Sequence, residues 1–221
     1  MDFDFAFAWS VMPDLLGALW VTVQATLGGS LLAAVLGLVW AILRRSDRRP
    51  IREMARWTVE FVRSTPLLVQ IYFVFYILPD LGLRLSPMVT GLLALGVHYS
   101  AYMAEVYRAG IEGVDRGQWE ASAALNLRPR TVWVRIILPQ AIPPMIPAMG
   151  NYLIAMFKDT PMLSAITVLE LLQTAKIIGS ETFRYLEPLT MVGILFLIVS
   201  LAASAGVRWA EGRFRLEGAH A

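Results

Sequence analysis

The chain has 221 residues, of which 57% are hydrophobic and 16% charged, against about 25% charged in an average soluble domain, which argues against a soluble globule. The absence of cysteine excludes a disulfide framework, a thiolate metal site and a cysteine nucleophile. The formal net charge is only +2, yet the basic residues are concentrated in a few short connecting segments, an asymmetry that carries topological information.

In chain order, residues 1–14 contain three Asp and no Lys or Arg. Without a basic n-region, the first apolar segment is expected to stay as an anchor, with Met1 as the mature start. Leu15 to Leu43 is free of charge. At about 1.5 Å per helical residue it exceeds a hydrocarbon layer of roughly 30 Å, so this span tilts or continues into the interface. Six arginines follow, Arg44, Arg45, Arg48, Arg49, Arg52 and Arg56. A second span is expected over Trp57 to Pro79, with Glu60 and Arg63 close enough near its start to pair or snorkel. The third is Leu85 to Ala104, and beyond it Glu105, Arg108 and Glu112 fall at i, i+3, i+7, which predicts an ion-pair ladder. A basic loop leads to a fourth charge-free run, Ile136 to Phe157, and the fifth, Pro188 to Val207, precedes a tail with three arginines.

The basic segments fit one face, so the positive-inside bias places the N-terminus outside and the C-terminus in the cytoplasm, the parity of five spans. The expected fold is an all-α integral membrane protein with five transmembrane helices and no internal repeat. Lys158 and Lys176 are the only lysines and neither follows a glycine, which excludes a Gly-Lys-Ser/Thr phosphate loop. Two histidines, His98 and His220, make no metal cluster, and no Gly-x-Ser-x-Gly or His-Glu-x-x-His occurs. Transport or scaffolding is left, with any ATP hydrolysis supplied by a partner chain.

The loop after the third span is the most informative segment. Asp115 is a good N-cap, with Gln118 placed to reach back in a capping box, Asn126 a good left-handed C′ residue and Pro129 a stop, which predicts a helix over Arg116 to Leu125. A helix that short is marginal in water, and Ala121, Ser122, Ala123 and Ala124 permit close approach, so it either docks on another protein or lies on the membrane. Glu120-Ala121-Ser122, the turn residue Asn126 and Ile137-Leu138-Pro139 resemble the EAA loop of ATP-binding-cassette importer permeases, with Ser122 for Ala and Asn126 for Gly as mild departures. Arg63-Ser-Thr-Pro-Leu-Leu-Val-Gln70, Ala101-Tyr-Met-Ala-Glu-Val-Tyr-Arg108, Gly117-Gln-Trp-Glu-Ala121, Leu138-Pro-Gln-Ala141 and Lys158-Asp-Thr-Pro-Met-Leu163 are similar to the polar amino-acid branch of that family, and their wording is most similar to permeases for ectoine and hydroxyectoine.

The resemblance implies a type I importer transmembrane domain over residues 15–210, flanked by an extracytoplasmic segment 1–14 and a cytoplasmic tail 211–221, in the bacterial inner membrane. It implies a second permease subunit (paralogue or self), two cytoplasmic ATPase subunits and an extracytoplasmic solute-binding protein. ATP and Mg would sit on the ATPases, with no cofactor, metal or catalytic residue on this chain and no nucleic acid partner. Gly117, Gln118, Trp119, Glu120, Ala121, Ser122, Leu125, Asn126, Leu138 and Pro139 form the expected ATPase-coupling loop.

Intramembrane polar groups are expensive and tend to face the protein interior. Gln70, Tyr72, Tyr76, His98, Tyr99, Tyr102 and Asn151 are therefore candidates for a solute path or gate as a cluster, although such a residue alone is more often an interhelical hydrogen-bonding or interfacial group. Lys158 and Asp159 join them by a separate argument. If Pro139, Pro143, Pro144 and Pro147 delay the fourth helix until about Pro144, the residues through Phe157 rise only about 21 Å. The pair would then lie within the membrane, with Pro161 breaking the helix and Met162 to Leu169 completing the crossing. The competing reading is a small secondary transporter or channel without ATPase, which predicts coupling-ion ligands or an inverted repeat.

Overall fold

Helices follow the apolar runs, but the size of the residues decides which face turns inward. The computed structural model describes residues 3–218. After a short helix, α1 (Phe5–Ser10), capped by Asp4, the long α2 (Met12–Leu43) buries Ala18, Thr22, Ala25, Thr26, Gly29, Ala33, Gly37 and Ala41, while Leu16, Trp20, Leu31 and Ile42 point outward. A seam of small residues at helical spacing lets another backbone approach closely, the main source of helix association where lipid is as apolar as leucine. The partner is α5 (Pro87–Glu112), half of whose residues are buried. A Cβ on Gly29 would stand 3.2 Å from the Cβ of Leu95, and one on Gly37 would stand 2.5 Å from the Cβ of Met103 and 2.9 Å from the Ser100 carbonyl oxygen.

The second expected span is not one helix. α3 (Arg49–Ser64) and the stretch Leu67–Leu81, made of α4 (Leu67–Tyr72), a π turn (Phe73–Ile77) and a 3₁₀ turn (Leu78–Leu81), meet at 105°. The cause is Pro66, which excludes the helical region for Thr65 (φ −106°, ψ 138°). Arg63 reaches Glu105 at 3.6 Å and makes no pair with Glu60.

The fourth span also differs from expectation. The short α7 (Pro129–Val132), a π turn (Trp133–Ile137), α8 (Leu138–Asp159) and a 3₁₀ turn (Thr160–Ile166) run on continuously. Pro143, Pro144 and Pro147 lie inside α8 and do not delay it, whereas at Pro161 the α-helix gives way, as expected, to the 3₁₀ turn Thr160–Ile166. Prolines are tolerated where local π and 3₁₀ adjustments and side chains satisfy freed backbone groups; here the π turn precedes Pro139 and the Gln140 amide donates to the Ile136 carbonyl at 2.6 Å. The 22 residues of α8 rise about 33 Å, so the short helix from about Pro144 that would place Lys158 and Asp159 within the membrane is not what forms. α9 (Leu171–Thr182), capped by the buried Glu170 carboxylate through the Leu172 and Gln173 amides, precedes α10 (Leu186–Gly218).

Among the described residues, Met12–Leu43, Pro129–Ile166 and Leu186–Arg213 are long and apolar enough to cross a membrane, and the bent pair adds a fourth if its two limbs are counted as one span. α5 is outside that set because His98, Tyr99, Ser100 and Tyr102 dilute it; as the enclosed helix it needs no lipid-compatible surface all round.

The seam makes a direct prediction. Gly37→Ala forces Met103 and the α5 backbone apart and should lower stability by about 1–3 kcal/mol, the usual overpacking cost. Gly193→Ala, whose Cβ would enter open space, should be neutral. Thermal unfolding of the two purified variants in detergent makes the comparison, and equal midpoints would show that the seam is loose.

Candidate functional site

Two groups of residues stand out, one on the basic loop and one inside the helix bundle. The loop helix α6 (Arg116–Ala124) forms as the sequence predicts, one residue shorter at its end. The Asp115 carboxylate accepts from the Gly117 amide at 2.7 Å; the reciprocal bond from the Gln118 side chain is absent among the described residues. The far end is a Schellman motif, in which Asn126 takes φ 50°, its amide donates to Ala123 and the Leu127 amide donates to Ser122. Ser122 is buried, its hydroxyl donating to the Gln118 carbonyl at 2.6 Å.

The two faces of α6 differ. Trp119 points into the protein, edge-on to Trp133 with centroids 5.4 Å apart, in a cluster with Val114, Ile137 and Met145. Glu120, Ala121, Ala123 and Ala124 are exposed, and Leu125 keeps 71% of its surface open. Among the described residues Glu120 pairs only with Arg116, at 3.2 Å and in the open, so the pair contributes little stability. Leu138 and Pro139 lie at the first turn of α8, directly beyond Trp133, which ties the loop to the root of that helix.

At the neighbouring end of α5 the predicted ladder is present and larger than predicted. Glu105 accepts from Arg108 at 2.8 Å and from Arg44 of α2 at 2.5 Å, with Arg63 of α3 at 3.6 Å, and Arg108 also pairs with Glu112. One carboxylate therefore joins three helices, which no spacing along the chain reveals.

Inside the bundle, Tyr99 donates to the Asp159 carboxylate at 2.7 Å. Tyr99 is the thirteenth of the 26 residues of α5, so Asp159 lies level with the middle of that helix. His98, Tyr99, Tyr102 and Tyr152 form a ring cluster with centroid separations of 5.4 to 6.3 Å, and the Arg63 guanidinium stands 5.5 Å from the Tyr102 ring. Gln70 reaches the cluster through His98 Nδ1 at 3.2 Å, but its amide NH₂ is spent on the Val62 and Thr65 carbonyls and the Thr65 hydroxyl. It splices the broken helix as well as contacting the cluster.

Other candidates lie elsewhere. Lys158 is exposed and makes no ion pair with Asp159 or any other carboxylate among the described residues, because neighbours on a helix diverge by about 100°. Tyr72 and Tyr76 stack on each other at 5.6 Å on an exposed face, and Asn151 is exposed too. Tyr152 was not singled out from the sequence, though it stands seven residues before Asp159, two turns along the same helical face. It also lines a cleft of about 480 Å³ between α5 and α8 that extends past Met145 and Gly110 to Glu105 and Gln140.

Residues 33–216 match the family described as "Binding-protein-dependent transport system inner membrane component". The chain belongs to this family. It is 50% identical over 205 residues to the "Probable amino-acid ABC transporter permease protein y4tG" of Sinorhizobium fredii, covering 93% of this chain and 89% of that one. It is 36% identical over 208 residues to y4tF of the same organism, which carries the same description, covering 90% and 87%. A solved structure titled "Crystal structure of an amino acid ABC transporter with histidines" superposes with a TM-score of 0.92 at 33% identity, over 96% of this chain and 100% of that one.

For this permease the Tyr99–Asp159 bond separates two roles. If Asp159 acts by its charge, Asp159→Asn, which still accepts the Tyr99 hydrogen bond, should lower uptake at least about tenfold with unchanged thermal stability. Tyr99→Phe, which removes the bond and leaves a buried acceptor short, should cost about 1–3 kcal/mol of stability. Wild-type uptake by Asp159→Asn would reduce Asp159 to a packing residue.

Proposed function

We propose that this chain forms half of the translocation path of an ATP-driven importer for amino acids, with five membrane crossings, the N-terminus outside and the C-terminus in the cytoplasm. The observation that carries the reading is the split of α6 into an inward anchor, Trp119, and an open face of Glu120, Ala121, Leu125 and Asn126. A lipid-bound loop helix has no need of small residues on its outer side, whereas a helix seated in a protein groove does. Leu67–Leu81, the second limb of the bent pair, and the central α5 complete the five crossings. The Arg-rich segments at 44–56 and 116–135 belong on the cytoplasmic side.

The partners are two cytoplasmic ATPase subunits, which hold ATP and Mg, an extracytoplasmic solute-binding protein and a second permease. That two relatives from one organism carry the same description favours a paralogue as the second permease. Alternating access would work by rocking the permease pair as the ATPases close, carrying the coupling helices with them. The solute-facing groups are Asp159, which suits an ammonium, and the faces of Tyr99, Tyr102, Tyr152 and His98, which suit an apolar body or delocalised cation; Lys158, Asn151, Tyr72 and Tyr76 face the second subunit. The cleft below Tyr152 is the inward exit. A polar amino acid fits this chemistry, and a compatible solute such as ectoine is a narrower member of the same zwitterionic class. An ATPase-independent carrier is the weaker reading, since no acidic, His or Cys cluster able to hold an ion occurs among the described residues.

The test is solute uptake by the reconstituted complex. Ala121→Trp and Glu120→Arg should each abolish ATP-dependent uptake while expression, membrane insertion and solute-binding-protein affinity persist. Uptake by both variants at the wild-type rate would remove the docking role. Transport of sugars or metal ions with no amino-acid-type solute carried would overturn the solute class, and ectoine uptake competed by no common amino acid would select the narrower solute.

A further inference from the structure

α3 has three faces rather than two. Ala55 and Val59 are buried against the bundle, and Met54, Trp57 and Phe61 form an apolar stripe in which Trp57 and Phe61 remain 68% and 69% exposed. Between them lies a charged face carrying Arg49, Arg52, Arg56 and Arg63. A helix with an aromatic stripe, an arginine face and a 105° turn into the following segment lies along a membrane surface rather than across it. The charged face borders a cleft of about 190 Å³ closed on its other sides by the ends of α2 and α5.

Five arginines line that cleft, Arg44, Arg45, Arg52, Arg56 and Arg108, against two carboxylates, Glu53 and Glu112. Arg44 and Arg108 are committed to Glu105. Arg52 and Arg56 share Glu53 at 3.9 Å each, too long for a good hydrogen bond. Arg45 has the Trp133 ring at 5.2 Å and no carboxylate within 4 Å among the described residues. Arg45, Arg52 and Arg56 therefore leave an excess of positive charge around the cavity.

We propose that this cleft binds the phosphate of an anionic membrane lipid, with Arg45, Arg52 and Arg56 as its ligands and with the acyl chains running beside the Met54, Trp57 and Phe61 stripe. Guanidinium forks suit phosphate oxygens, and basic pockets between helices on the cytoplasmic side are favourable sites for anionic headgroups. The apolar stripe selects lipid over a free phosphate ester, because only a lipid gives Trp57 and Phe61 a partner. The inference uses the cytoplasmic placement of α3 proposed above but not the solute or the ATPase.

The full-length chain in its purified complex, placed in zwitterionic phosphatidylcholine nanodiscs and titrated with a photoactivatable phosphatidylglycerol, tests this without reference to transport. Wild type should crosslink saturably within residues 44–61. Arg45→Gln/Arg52→Gln/Arg56→Gln should weaken crosslinking roughly fivefold per arginine, about a hundredfold in all, and the matching triple lysine variant should retain most of it. Excess glycerol phosphate should not compete; if it does, the ligand is a free phosphate ester and the lipid assignment fails. Non-saturable crosslinking by wild type, or the same affinity in wild type and a normally melting triple glutamine variant, overturns the site itself.

Discussion

Everything in this protein hangs from the close approach of α2 and α5. In lipid, apolar surface gains nothing by leaving the solvent, so two helices stay together only if their backbones come near enough for dense van der Waals contact. Gly29, Ala33, Gly37 and Ala41 make that approach possible from one side, and Gly96, Ser100 and Ala104 from the other. Gly96 lies under Leu32, and Gly37 against Met103 and Ser100. Because the seam leaves no slack, α5 has a fixed rotation. That rotation turns Tyr99 and Tyr102 toward α8 and Glu105 toward Arg44 at the end of the seam.

The polar groups depend on that rigidity. A carboxylate among helices is tolerated only where donors are held in place, since an uncompensated buried charge costs several kcal/mol. Asp159 has the Tyr99 hydroxyl and Glu105 has arginines from two or three helices. The end of the bundle at α1 follows the same rule. Arg184 bridges Asp4 and Glu187 at 3.2 and 2.7 Å over the Phe7 ring, and the Asp4 carboxyl is held below its ordinary range by the Phe7 amide first and Arg184 second. The charges therefore sit in three places, each at a helix end or beside a packed tyrosine.

What the sequence made legible was what depends on neighbours along the chain. The caps of α6, the left-handed Asn126 and the i, i+3, i+7 ladder from Glu105 are local, and they form as read. The basic segments and apolar runs placed the starts of the long helices to within three residues, but α5 and α10 run well past the ends of their apolar runs, to Glu112 and Gly218. Errors arose where tertiary context overrides a local rule. Prolines predicted to delay α8 lie inside it instead, and Pro66, within an apolar run, breaks the second span. Glu60 was the obvious partner for Arg63, yet Glu105, 42 positions on, takes it. Asp159 was placed inside for a reason that fails, and stands beside mid-α5 because Tyr99 holds it there. Tyr152 was missed although its spacing from Asp159 was a usable signal.

The connection between the loop and the bundle interior is mechanical and short. Trp119 packs on Trp133, Trp133 opens the π turn that leads into α8, and α8 carries Tyr152 and Asp159. From Pro129 to Ile166 the chain is helical without a gap, and a helical rod transmits displacement at one end to the other with little loss if its hydrogen-bond ladder is intact. The missing amides of Pro143, Pro144 and Pro147 weaken that ladder in the stretch between the loop and Tyr152. Bending there costs less than elsewhere along α8, so a displacement of α6 would reach the half of α8 nearest the loop before it reached the Tyr99–Asp159 bond. The cleft lined by Pro144, Met145 and Ala148 lies along that half. A rod that is soft beside the cleft and pinned above it can open or close the cleft while the bond at its upper end stays made, and a proline-free α8 of equal length would have to move as a whole.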